Sequence, residues 1–175
     1  MTAGSDQPAR EIVLQPGEVW FGEGRVRLRT LLGSCVAVTL WHPQRKIGGM
    51  CHYLLGERPA NHGIALDGRY APDALALLLR GIRRYDADPA DFHGKLFGGG
   101  RMFDLPAAQL AGSVPERNVA MAEALMQRHR IPVLARHLGG GGHRSLAFEL
   151  WSGDVWVRHR QAGAADAGLR MEARP

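Results

Sequence analysis

Cysteine is scarce in this chain, with two in 175 residues, at Cys35 and Cys51. Two thiols cannot staple a domain of this size, and a reducing compartment keeps both free for packing or chemistry. Long apolar runs are missing as well. No stretch approaches the roughly 18 uninterrupted apolar residues of a membrane span. The opening residues MTAGSDQPAR have no apolar signal core, so the expected location is the cytoplasm, with no direct membrane insertion. Clustered charge is also absent. The formal charge is +5, but the arginines are scattered from Arg25, Arg27 and Arg29 through Arg83, Arg84, Arg128 and Arg130 to Arg158 and Arg160. No aromatic platform is interleaved among them. That argues against nucleic acid and for a solvated basic surface suited to an acidic protein partner.

What is present suffices for one hydrophobic core and not for two, since 45% of the residues are apolar. A single domain is expected over residues 11–160, between a polar, disordered N-terminal tail (1–10) and an Ala/Gly-rich, flexible C-terminal tail (161–175). RVRLRTLL, from Arg25, alternates with the period of a half-buried strand, and CVAVTLW and KIGGMCHYLL continue as β-rich runs. In APDALALLLRGIRRY the residues Leu75, Leu78, Leu79 and Ile82 form one helical stripe, with Pro72 in its first turn. KLFGGG reads as a short strand entering a glycine loop. Ser113 and Glu116 form an S-x-x-E capping box ahead of a helix through ERNVAMAEALMQRHR, which Pro132 stops. PVLARHL, SLAFEL and DVWVRH read as three more strands. The class is mixed α/β, with a largely antiparallel sheet covered by helices.

The chemistry-bearing stretch is GSCVAVTLWHPQRKIGGMCH, residues 33–52, which holds both cysteines and a histidine. A four-residue loop at HPQR (42–45) sets Trp41 opposite Lys46 and therefore Cys35 opposite His52, and a two-residue loop at Pro43 and Gln44 keeps that register. Opposed residues have Cβ atoms roughly 4.5–5.5 Å apart. Cys51, adjacent to His52, points to the other face with Val36, Val38, Leu40 and Ile47, a core. Cys35 shares its face with Ala37, Thr39, Gly48 and Met50, as a cleft floor would. At a strand start, backbone N–H groups at Ser34 and Cys35 are free to form an oxyanion hole. A neighbouring imidazolium would lower the thiol pKa and populate the thiolate. The plainer alternative is a buried Cys acting as a small hydrophobe beside a hydrogen-bonded strand His. A metal site lacks ligands, because no C-x-x-C or H-x-x-x-H spacing accompanies the pair. FGGG (97–100) and GGGG (139–142) match neither dinucleotide nor Walker loops, and serve equally as loops around a cleft.

Taken together, LGSCVAVTLW, GGMCH, RYAPDALALLL, KLFGGGRMF, ERNVAMAEAL and IPVLARHLGG resemble the CheD family of chemoreceptor glutamine deamidases, in order, from about Leu14 to Arg158. The resemblance implies a layered α/β/β/α fold and an enzyme that converts glutamines on receptor cytoplasmic helices to glutamate. It carries the nucleophile onto Cys35 and the base onto His52. A threonine upstream of the family's cysteine maps to Thr30, whose parity with Val26 and Leu28 points inward. No metal or organic cofactor is required. Receptor cytoplasmic domains are the implied substrate, and a CheC-type phosphatase is a further implied partner. The alternatives are a non-catalytic regulatory binding module for either partner, and a Cys–His hydrolase acting on another amide or thioester. Two positions depart from the family pattern: Pro115 before ERN, where glycine is usual, and His137, where an acidic residue usually precedes the later glycines.

Overall fold

The computed structural model describes residues 8–104, 106–161 and 167–171. The strands are β1 (Arg10–Val13), β2 (Val19–Gly22), β3 (Val26–Leu32), β4 (Val36–Trp41), β5 (Gly48–Tyr53), β6 (His93–Gly98), β7 (Val133–Leu138), β8 (His143–Glu149), β9 (Val155–Arg160) and β10 (Ala167–Met171). The helices are α1 (Ala71–Arg84), the single-turn α2 (Ala107–Leu110) and α3 (Val114–Arg128).

Two five-stranded sheets result, one ordered β1-β3-β8-β9-β10 and the other β2-β5-β4-β6-β7. Pairing is antiparallel except for β1 with β3 and β6 with β7. The alternation in RVRLRTLL becomes β3, with Val26, Leu28, Thr30 and Leu32 buried and Arg27, Arg29 and Leu31 facing out. Those inward residues join Leu146, Phe148 and Val157 of the same sheet against Ala37, Trp41, Met50 and Phe97 of the other, so the two sheets share a core. The opposite face of the second sheet, with Val36, Val38, Leu40, Cys51 and Tyr53, packs against the α1 stripe and against Ala122, Leu125 and Met126 of α3. Each fully buried large side chain in that stripe contributes about 1.5–3 kcal/mol.

The expected mixed α/β class, largely antiparallel with packed helices, is what the chain builds. Its described residues supply three of the four expected layers: α1 and α3 on the second sheet, then the first sheet, whose other face presents Arg29, Leu31 and Trp156 to solvent. Every residue of β4 and β5 is buried. The face expected as a cleft floor is therefore packed against the first sheet, and only its end at Cys35 is open.

Three local expectations change. The β4–β5 register pairs Trp41 with Gly48, Val38 with Cys51 and Ala37 with His52, so His52 stands opposite Ala37 and not Cys35. The loop closes between His42 and Ile47, because Lys46 adopts φ 56° and turns the chain one residue later than HPQR suggests. Ser113 is the residue before α3, but its hydroxyl is buried without a partner, and Glu116 accepts from the N–H of Gly112 at 3.1 Å. The Ser113 N–H already donates to the Leu110 carbonyl, so the reciprocal capping box has no donor left to close it. Within the segment expected as a flexible tail, Ala167–Met171 pairs antiparallel along β9. Backbone pairing at an open sheet edge needs no apolar periodicity, which is why composition did not signal it.

Candidate active site

Cys35 lies just before β4, half-buried against the inter-sheet core. His52 lies in β5, one strand over, with its side chain buried. Since His52 opposes Ala37, Cys35 is its diagonal neighbour on the same face, at a spacing of roughly 7–8 Å between backbone positions. A slip of two residues preserves the face, so Cys35 and His52 stay on one side of the sheet and Cys51 on the other, although His52 Nε2 makes no hydrogen bond to the thiol. Cys51 is packed against α1 and its thiol is pushed up to about 12 by burial.

Thr30, from the other sheet, reaches the same imidazole. Its Oγ1 is 2.8 Å from His52 Nδ1 and donates to the Leu14 carbonyl at 2.8 Å. A carbonyl only accepts, so the single hydroxyl proton goes to Leu14 and the hydroxyl oxygen must accept from Nδ1–H. That fixes the neutral tautomer with its lone pair on Nε2, which is buried and has no hydrogen-bond partner among the described residues.

Burial decides the charge state at rest. It lowers the His52 pKa to about 4 and raises that of Cys35, although the Cys35 N–H and the Ser34 hydroxyl both favour the thiolate. The resting pair is a neutral thiol and a neutral imidazole, not the thiolate and imidazolium anticipated from the sequence, because neither charge has enough solvent or counter-charge to persist. Ser34 thus has two contacts at the site, its hydroxyl toward the sulfur and its carbonyl held by Asn118 Nδ2 at 3.0 Å.

The glycine runs support this turn. Gly99 N–H donates to the Cys35 carbonyl and Gly100 N–H to the Gly33 carbonyl, both at 2.8 Å, and a Cβ at Gly98 would sit 2.2 Å from the Cys35 oxygen. Gly139 in turn donates to the Gly98 carbonyl, and buried Arg144 holds that second loop through the Gly139 carbonyl while donating to His137 Nδ1. A cleft of about 320 Å³, lined by Gly99, Arg101, Pro115, Glu116, Val119 and Gly140, abuts the same turn. Asn118 and Arg144 are parts of this scaffold that periodicity alone could not single out, although ERN contains the first of them.

A half-buried thiol on the same sheet face as an imidazole whose Nδ1 is held by a hydroxyl brings together the side-chain types that cysteine nucleophile chemistry draws on. The sequence profile of the family described as CheD, chemotactic sensory transduction, matches residues 54–159. A protein named "Probable chemoreceptor glutamine deamidase CheD" from Pseudomonas syringae pv. tomato is 51% identical over 165 residues, 93% of this chain and 96% of its own. "Probable chemoreceptor glutamine deamidase CheD 3" from Dechloromonas aromatica is 45% identical over 160 residues, covering 91% and 92%. At greater distance, "Probable chemoreceptor glutamine deamidase CheD 1" from Leptospira interrogans is 34% identical over 154 residues, covering 84% and 91%. The chain belongs to the CheD family. No helix among the described residues is long and apolar enough to cross a membrane.

Proposed function

We propose that this chain is a cysteine-dependent protein-glutamine deamidase acting on the cytoplasmic helices of chemoreceptors, with Cys35 as nucleophile, His52 as acid and base, and Thr30 fixing the His52 tautomer. The single observation that carries the chemistry is the Thr30–His52 bond, which leaves Nε2 as an unprotonated base on the face of the thiol. The names of the relatives supply the substrate.

In this reading His52 Nε2 takes the Cys35 proton as sulfur attacks the glutamine Cδ, and the Cys35 N–H receives the developing oxyanion. The tetrahedral species collapses with loss of the amide nitrogen, which takes the imidazolium proton and leaves as ammonia. Water then attacks the thioester. His52 accepts its proton and returns it to the departing sulfur, so one water is consumed and a glutamate side chain is released. The nucleophile, acid and base are all side chains of this chain. The receptor's cytoplasmic helices as substrate imply a cytoplasmic location.

Incubation with receptor cytoplasmic fragments should raise the mass by about one unit per modified glutamine, as replacement of an amide by an acid requires. Cys35→Ala should abolish that change. A regulatory binding role, with receptors or a CheC-type phosphatase as partner, predicts instead that Cys35→Ala retains the whole chemotactic effect. No mass change with any cognate receptor would refute the enzymatic reading.

A further inference from the structure

Asn118, in α3, is 1% exposed and takes no part in the chemistry just described. Its side chain nevertheless spans the two segments that carry the reacting groups. Nδ2 donates to the Ser34 carbonyl at 3.0 Å, immediately before Cys35, and to the Leu54 carbonyl at 2.7 Å, two residues after His52. Only the NH₂ end of a carboxamide can serve two carbonyl acceptors, so its orientation is settled by the chemistry. The main-chain carbonyl of the same residue accepts from Tyr53 Oη at 2.5 Å. A buried amide satisfied on this pattern is costly to misplace, because either lost bond strands a desolvated group.

The bond to Ser34 has a directional consequence. In a planar trans peptide the carbonyl and the following N–H point in opposite directions. Drawing the Ser34 oxygen toward α3 turns the Cys35 N–H away from the helix layer. The sulfur feels the result, since this N–H favours the Cys35 thiolate. The peptide on the other side of Cys35 is held independently, by Gly99 N–H on the Cys35 carbonyl.

Building on the deamidase reading, we propose that Asn118 is a positioning residue: its side-chain amide fixes the Ser34–Cys35 peptide plane so that the Cys35 N–H is presented as the oxyanion donor. It touches neither substrate nor sulfur. The bond to Leu54 anchors the same amide to the end of β5, so the donor is set relative to His52 as well as to the thiol.

The test compares full-length wild type, Asn118→Ala and Tyr53→Phe on a receptor cytoplasmic fragment, alongside Cys35 alkylation by iodoacetamide at a pH that ionises the thiol fully. Displacement at iodoacetamide carbon builds no oxyanion, so alkylation reports the sulfur alone. Asn118→Ala should lower kcat by at least about 10-fold, a part of the 10²–10³ lost when an oxyanion donor is removed outright. KM and the alkylation rate should stay within about threefold, and Tyr53→Phe, which leaves the Ser34 bond intact, should stay near wild-type kcat. A kcat for Asn118→Ala within twofold of wild type overturns the proposal. So does an equal fall of kcat and alkylation, which would mean that the turn has simply lost its shape. If the alanine variant does not fold, the wild type decides through the structure of its hemithioacetal with a glutamine-semialdehyde peptide. The adduct oxygen should lie about 2.7–3.1 Å from Cys35 N. An oxygen bonded elsewhere rejects the assignment. Wild-type inactivity on every receptor fragment is a different failure, which removes the deamidase reading and the role of Asn118 with it.

Discussion

The hydroxyl of Thr30 holds His52 Nδ1 and so decides which imidazole nitrogen is basic. Thr30→Val should reduce kcat on the order of 10- to 100-fold, by freeing Nδ1–H to find another partner, and Thr30→Ser should restore most of it. The His52 ring sets the pH behaviour. With its pKa lowered to about 4, the base stays unprotonated in acid, so kcat/KM should remain flat from pH 7 to about 5; a decline centred near 6.5 would show an ordinary imidazole. Stability moves the other way over the same range. The unfolded chain takes up this proton near 6.5 and the folded chain only near 4, so acid favours unfolding between those values and costs about 3 kcal/mol in all. Denaturant titrations of wild type and His52→Gln at pH 7 and pH 4.5 should show the larger drop in the wild type. The two thiols should differ as well. Limiting iodoacetamide with peptide mapping should label Cys35 first and faster as pH rises, while Cys51, buried with its pKa near 12, stays unlabelled until the protein unfolds. Strand parity makes this contrast legible in the sequence. The charge state was not legible, because it depends on desolvation by the sheet that Thr30 belongs to.

Elements were legible wherever a period was strong. RVRLRTLL, the α1 stripe and the helix after Ser113 all fold over nearly the expected residues, since alternate or i, i+3, i+4 burial leaves few other solutions. Register was less visible. It turned on Lys46 taking a left-handed conformation, which nothing in HPQRK announces. Asn118 escaped for another reason: its partners Ser34 and Leu54 are brought to it only by the packing of α3 on the second sheet. Packing also gives meaning to a residue that the helical pattern passes over. Gly81 sits on α1 where an added Cβ would lie 2.4–2.8 Å from three atoms of Phe21 in β2, including its Cβ. Alanine would gain about 1 kcal/mol of helix propensity. The clash should outweigh it, because the Phe21 ring is wedged near Tyr85 and Phe92 and cannot swing aside. Gly81→Ala is therefore expected to destabilise by about 1–3 kcal/mol in thermal or denaturant unfolding.

At the scale of the whole molecule, the sheet carrying His52 and the sheet carrying Thr30 meet through their shared core and through hydrogen bonds such as Thr30–His52 and Arg144–His137, and the far edge of the latter is finished by β10. Ending the chain after residue 161 removes β10 and bares the edge of β9. Such a truncation should leave deamidation within about twofold while promoting self-association, visible by light scattering, because an unpaired edge invites another chain. Thr30 itself is paired with Leu146 in β8. During translation Cys35 and His52 therefore leave the ribosome well before the strand that holds their third member in place. At about 5–20 residues per second this gap lasts roughly 5–20 s. On the proposed assignment, the nascent chain for that interval carries a thiol with no oriented base, and a message truncated upstream of β8 yields a polypeptide unable to edit any receptor.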